Sequence, residues 1–181
     1  VQFMGLPAGQ LSNKYVFPAY NNVTLNEQLR IANVDTSISD VTVTIGGTVQ
    51  GTYKLYPPGT PGQISAVRVN YAGLDSGPVV VEGTVGVKII SSIRDAWSVN
   101  GVTTSFSQLM GMPAEQLSNK YLFPAYNNVT LNEQLRIANV DSAQPLDTPS
   151  SVTVTIGGVL RGTYPLYPPG SSSGLSAVRI N

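Results

Sequence analysis

VTVTIGGTVQGTYKLYPPG, residues 41–59, reads as a β-hairpin from its letters alone. Val41, Val43 and Ile45 alternate with Thr42 and Thr44, the period of a strand with one face against a core. Gly46-Gly47 supplies turn residues that accept positive φ, and GTYKLY returns as the partner strand. The prolines of Tyr56-Pro57-Pro58-Gly59 end it, because proline cannot donate to a ladder. The stretch then recurs: VTVTIGG stands again at 152–158 and GTYPLYPPG at 162–170.

Upstream of the hairpin the repetition is closer still. YNNVTLNEQLRIANVD occupies both 20–35 and 126–141 without a change, and over 10–35 against 116–141 only Val16 and Leu122 differ. The second copy then inserts residues, SAQPLDTPSS in place of TSISD, a composition suited to a tolerant surface loop. ISAVRVN (64–70) and LSAVRIN (175–181) close the match. The period of about 106 residues is that of a small domain and not of a solenoid unit. The chain therefore divides into a first repeat, 1–106, and a second, 107–181, that lacks the counterpart of 71–106. Near-identity on both sides of the insertion predicts that the copies superpose over 10–35 and 41–59.

All the remaining elements read as strands. VTLNEQLRIANV alternates Val23, Leu25, Leu29 and Ile31 with Thr24, Asn26, Gln28 and Arg30. SAVRVN, PVVVEG and VGVKIISSIRD follow, with turns at LDSG and GTVG, and no stretch carries a helical period. Seven or eight short strands per repeat predict an all-β protein of tandem immunoglobulin-like antiparallel β-sandwich repeats, the second incomplete. Leu25, Leu29, Ile31, Val43 and Ile45 are expected in the core, and with them Leu131, Leu135, Ile137, Val154 and Ile156.

Composition narrows the function. Ten basic residues balance ten acidic ones, so no basic surface for nucleic acid is expected. Charged residues make up only 11% of the chain, where roughly 25% is usual, and so little repulsion keeps copies apart. With no cysteine and no histidine, thiolate metal sites, disulfides and the commonest general base are excluded. No nucleotide-binding, hydrolase-elbow, zinc or calcium motif is present, so neither cofactor nor enzyme activity is expected. The carboxylates Glu27, Asp35, Asp40, Asp75, Glu82 and Asp95 show no pairing in the sequence. The chain opens at Val1 without a signal-like segment, so either a leader has been removed or a larger protein continues. No apolar run is long enough for membrane insertion.

Several residues stand out. Glu27 and Glu133 sit where the alternation calls for an apolar side chain, leaving two readings open. Either a bulge turns them outward, or they are buried with a cation, for which Arg68 or Arg94 could serve. The aromatic-and-amide run of Tyr15, Phe17, Tyr20, Asn21 and Asn22, with Tyr121, Phe123, Tyr126, Asn127 and Asn128, could form an inter-subunit face or stack on a surface glycan. Core is the commoner fate of such aromatics. Asn22-Val23-Thr24 and Asn128-Val129-Thr130 match a glycosylation triplet but read better as turns. Lys14 with an asparagine and Glu27 could in principle form an isopeptide bond.

The order YVFPAYNNVTLNEQLRIANV, VTVTIGG, GTY, YPPG, GPVVVEG and a VKIISSIRD-like strand resembles β-sandwich repeats of large bacterial cell-surface proteins. The resemblance implies an exported structural or adhesive role and carries over no catalytic residue. The expectation is a building block of an extracellular filament, stalk or surface layer, a homopolymer joined head to tail by strand and face packing. Its rivals are an adhesin or carbohydrate-binding module, and a phage or virion fibre. A half without its counterpart of 71–106 also calls for completion, by longer chain or by a neighbour's strand.

Overall fold

The computed structural model describes residues 5–131 and 133–181. Its strands are β1 (Lys14–Phe17), β2 (Tyr20–Asn21), β3 (Asn26–Asn33), β4 (Ser39–Ile45), β5 (Thr48–Leu55), β6 (Ala66–Val69), β7 (Asp75–Ser76) and β8 (Val79–Glu82). There follow β9 (Ile89–Val99), β10 (Val102–Met110), β11 (Met112–Pro113), β12 (Leu135–Ala138), β13 (Ser150–Ile156), β14 (Val159–Leu166) and β15 (Ala177–Ile180). Single 3-10 turns at Ala8–Gln10 and Ala114–Gln116 are the only helical elements among the described residues. The protein is all-β, and every strand pair is antiparallel.

Most of the first repeat forms two facing sheets. One runs β11-β1-β8-β4-β5 and the other β10-β9-β3-β6. Tyr15, Phe17, Val41, Val43, Ile45, Val79 and Val81 of the first meet Leu29, Ile31, Ile89 and Ile93 of the second in one buried cluster. The 41–59 hairpin stands as read, its turn formed by Gly46 and Gly47 at φ 58° and 85°.

Two departures from the sequence reading follow from local chemistry. The strand expected from Val23 begins at Asn26, and Val23 is exposed and Leu25 half-buried, because Asn21 holds residues 23–24 in a turn. The inward positions of β3 are thus Glu27, Leu29, Ile31 and Asn33. In addition, β9 runs on to Val99 and turns back at Asn100-Gly101, both at positive φ (52° and 78°), into β10. Asn-Gly is the strongest short hairpin signal. Strand β10 spans the repeat boundary at 106/107, so the first pair of sheets takes β10 and β11 partly from the second copy.

The second copy keeps less. Hairpin β13–β14 reproduces β4–β5, including the register shift (Val43/Thr44 in one, Val154/Thr155 in the other). Strands β12 and β15 reproduce the β3–β6 pair in the same register. Residues 120–123 and 126–127, however, form no strand although their equivalents are β1 and β2. The local bonds at the start of 10–35 are nonetheless kept: Tyr121 Oη accepts the Ser118 N–H and Ser118 Oγ the Lys120 N–H, as Tyr15 and Ser12 do for Ser12 and Lys14. β1 exists because β8 and β11 flank it, and among the described residues no strand pairs with 120–123. The expected core divides accordingly. Val154 is buried, Leu135, Ile137 and Ile156 are half-buried, and Leu131 is exposed.

Candidate functional site

The repeated polar letters do their first work inside each copy. Asn21 Oδ1 accepts the Val23 and Thr24 N–H groups (3.1 and 3.0 Å), and its Nδ2 donates to Thr24 Oγ1 (2.8 Å). Asn22 Oδ1 accepts the Glu27 N–H, and Glu27 Oε2 accepts the Asn21 N–H at 2.7 Å. Asn127, Asn128, Thr130 and Glu133 repeat each of these bonds. Asn33, fully buried, donates from Nδ2 to the Ser37 and Leu55 carbonyls (2.7 and 3.0 Å) and accepts the Asp35 N–H, and Asn139 bonds Leu166 and Asp141 in the same way. These bonds hold the turns at 21–27 and 33–35 and their counterparts, so identity at these positions has a structural cause. Asn33→Ala is expected to cost about 1–3 kcal/mol, because it orphans buried backbone groups, as measured by denaturant unfolding.

In the first copy this placement corrects the sequence reading of a ligand or subunit face. Tyr15, Phe17, Tyr20 and Asn21 are buried in the first copy, and Asn22 is half-buried with its amide on Asn70. Aromatic side chains at alternate inward positions of β1 serve the core and present nothing outward. In the second copy Tyr121 is 45% and Phe123 67% exposed, Tyr126 is half-buried, and Asn127 and Asn128 are exposed. Lys14 lies 3.1 Å from Glu82 on the surface and not beside Glu27, so no isopeptide geometry exists.

Glu27 is the inward carboxylate, and it lies in a regular stretch of the β3–β9 ladder with no bulge. Its register partner is Asp95, so two of the carboxylates that looked unpaired face one another. Their cation comes from the other repeat: Arg136 Nη1 stands 3.6 Å from Glu27 Oε1 and 3.7 Å from Asp95 Oδ2. Arg68 and Arg94, the cations expected from the sequence, do not fill this role. Arg68 lies across from Arg30 in the β3–β6 ladder, on the outward phase of the strands, and Arg94 packs over the Phe106 ring. Glu133 has no arginine partner among the described residues; its Oε2 accepts the Asn127 N–H. Burial, and then the neighbouring Asp95 carboxylate, push Glu27 up to about 8, against the opposing pull of the Asn21 N–H and Arg136.

Around this triad the two copies make further contacts. Arg179 grips Asp75 through both carboxylate oxygens (3.0 and 2.7 Å). Ser176 donates to the Gly77 carbonyl, and Ala177 lies against Gly77. A Cβ at Gly47 would collide with the backbone of Pro169 and Gly170. Ser12 donates to Glu115 at 2.8 Å, where the first copy has Gly9 in the equivalent place. Arg136 and Arg179 are the counterparts of Arg30 and Arg68, and no sequence pattern could have matched them to carboxylates of the other copy.

The second copy leaves a cavity of about 290 Å³ lined by Tyr164, Leu166, Tyr167, Leu175 and Val178. In the first copy Tyr53, equivalent to Tyr164, bonds the Tyr71 hydroxyl at 3.0 Å, and Tyr71 packs on the core. Tyr71 belongs to the segment 71–106, which lies outside the repeated stretches.

No protein-family model matches this chain, and neither does any curated protein. Among solved structures, the crystal structure of Thermotoga maritima 1070 is similar at 12% identity, covering 57% of this chain and 96% of that one with a TM-score of 0.45. A likeness that distant adds nothing to the fold or the site.

Proposed function

We propose that the chain is a segment of a tandem array of immunoglobulin-like β-sandwich repeats, and that the array is an extracellular structural element, a filament, stalk or surface layer. One observation carries this reading: strand β10 crosses the repeat boundary, so the first unit is closed by residues that open the second. A unit closed by its successor joins head to tail, and a head-to-tail contact that does not close on itself extends. Tyr121, Phe123 and Leu131 are exposed, and a cavity opens at Tyr164, surfaces that a following stretch of chain could cover. Low charge favours close packing of the units, and a structural role asks for no catalytic group.

The test extends the chain. Residues 71–113 are appended after Asn181, and hydrogen exchange is followed at 120–123, whose equivalents 14–17 form a strand in the first copy. Amide protection rising there to the level of 14–17 is the expected result. Unchanged exchange at 120–123 would refute the completion of each unit by the chain that follows it.

A further inference from the structure

The outward face of the four-stranded sheet carries a shallow cleft of about 430 Å³, lined by Arg30, Ala32, Ala66, Arg68, Ser92 and Gln108 among others. Its charge is one-sided. Arg30 and Arg68 are register partners on β3 and β6, and Arg94 follows on β9. None of the three has a carboxylate within salt-bridge distance among the described residues. Arg30 reaches only Gln108, at 3.4 Å, and its Nε is buried without a hydrogen-bond partner. Buried polar atoms normally find a partner, and here Arg30 Nε and Gln28 Oε1, on the same phase of β3, both lack one.

The second copy shows what the same strands do when acceptors are supplied. Arg136 and Arg179, on β12 and β15 in the register of Arg30 and Arg68, hold Glu27 with Asp95 and, separately, Asp75. Ser176, Ala177 and Gly170, which contact the first copy, have counterparts in Ser65, Ala66 and Gly59. The first copy thus presents the residues with which the second grips its predecessor.

We infer that the Arg30–Arg68 face is the docking surface for the Glu27–Asp95 and Asp75 end of a preceding identical repeat. The occupant is fixed by charge and by identity: two cations at one strand register meet the Asp75 and Asp95 carboxylates and the carboxyl of Glu27, which the same repeat carries at its end. The contact is heterologous, face to end, and therefore propagates along an array. Arginine suits it, since its guanidinium is always charged and rich in donors; Arg179 places one nitrogen, Nη2, against both oxygens of Asp75. The inference rests on the tandem-array reading and names the surface by which one unit sets the orientation of the next.

The test uses a chain with residues 1–106 repeated once ahead of Val1, in the native register. The chain is cysteine-free, so introduced cysteines carry the only spin labels. Thr52→Cys with Thr163→Cys, equivalent exposed strand positions, reports the junction already described. Thr52→Cys in the added copy and in the next reports the new one. The expected result is a narrow distance distribution at the new junction, matching the Thr52–Thr163 one. Arg30→Gln with Arg68→Gln in the middle copy should broaden the new junction and leave the Thr52–Thr163 distance unchanged, which also shows that the variant is folded. A new junction that is narrow but indifferent to these substitutions overturns this inference and leaves the array reading standing. Breadth at both junctions of the unsubstituted chain overturns both.

Discussion

Phe17→Ala should destabilise the protein by about 3–5 kcal/mol, whereas Phe123→Ala, the same residue one repeat later, should change stability by less than about 0.5 kcal/mol. Phe17 is 3% exposed in a strand held between β8 and β11, and Phe123 is 67% exposed where no strand forms. Their neighbours are almost the same letters, so intrinsic propensity cancels and only tertiary surroundings differ. Denaturant unfolding of both variants, followed by a probe of the first unit, measures the contrast. Comparable losses would mean that 120–123 is packed as 14–17 is, and that the second copy is complete without further chain.

The second large effect is on pH dependence. Glu27 is held up to about 8 in the folded protein by burial and by Asp95, against about 4.3 for a free glutamate. Between those values the folded state keeps a proton that the unfolded state has released. Stability is therefore greatest below about 4.3 as far as this group is concerned, and it falls as pH rises toward 8, by at most about 1.4 kcal/mol per pH unit. Most buried carboxylates that gain an ion pair do the reverse. Glu27→Gln should flatten this slope. Arg136→Met removes the one cation facing the two carboxylates and should cost more at pH 8 than at pH 5, a difference of about 1–3 kcal/mol. Unfolding curves across pH 4–9 check both, and a stability that rises through this range would show that both carboxylates are ionised in the fold.

What could be read from the sequence was whatever is decided locally. The 41–59 hairpin is specified by alternation and two glycines, and it recurs unchanged at 152–170 because it needs no other strand to set its register. The phase of β3 was harder. Leu25 and Leu29 invite one continuous strand, but the Asn21 turn ends before Asn26, and Glu27 takes the inward position an apolar residue would fill. Asn100-Gly101 carried a hairpin signal in plain letters. The signal cut across a boundary inferred from repetition, and repetition marks where a unit is copied, not where it is closed. The Arg136–Glu27–Asp95 triad was illegible, since arginine and carboxylate are matched there only by how one copy lies against the other.

The register of β1 against β11 has a mechanical consequence. Tyr15 lies opposite Pro113, so the chain enters the first unit and leaves it at neighbouring points on one sheet edge. The residues between form a closed loop, fastened by a two-residue strand and the Ser12–Glu115 hydrogen bond. A pull on the chain at the two sides of this clip, Ser12 and Glu115, reaches its bonds one after another, as in a zip. The long β9–β10 ladder behind it is spared until the clip has opened. Extension thus begins with a small, low-force release of slack at the edge, while the buried core stays shut.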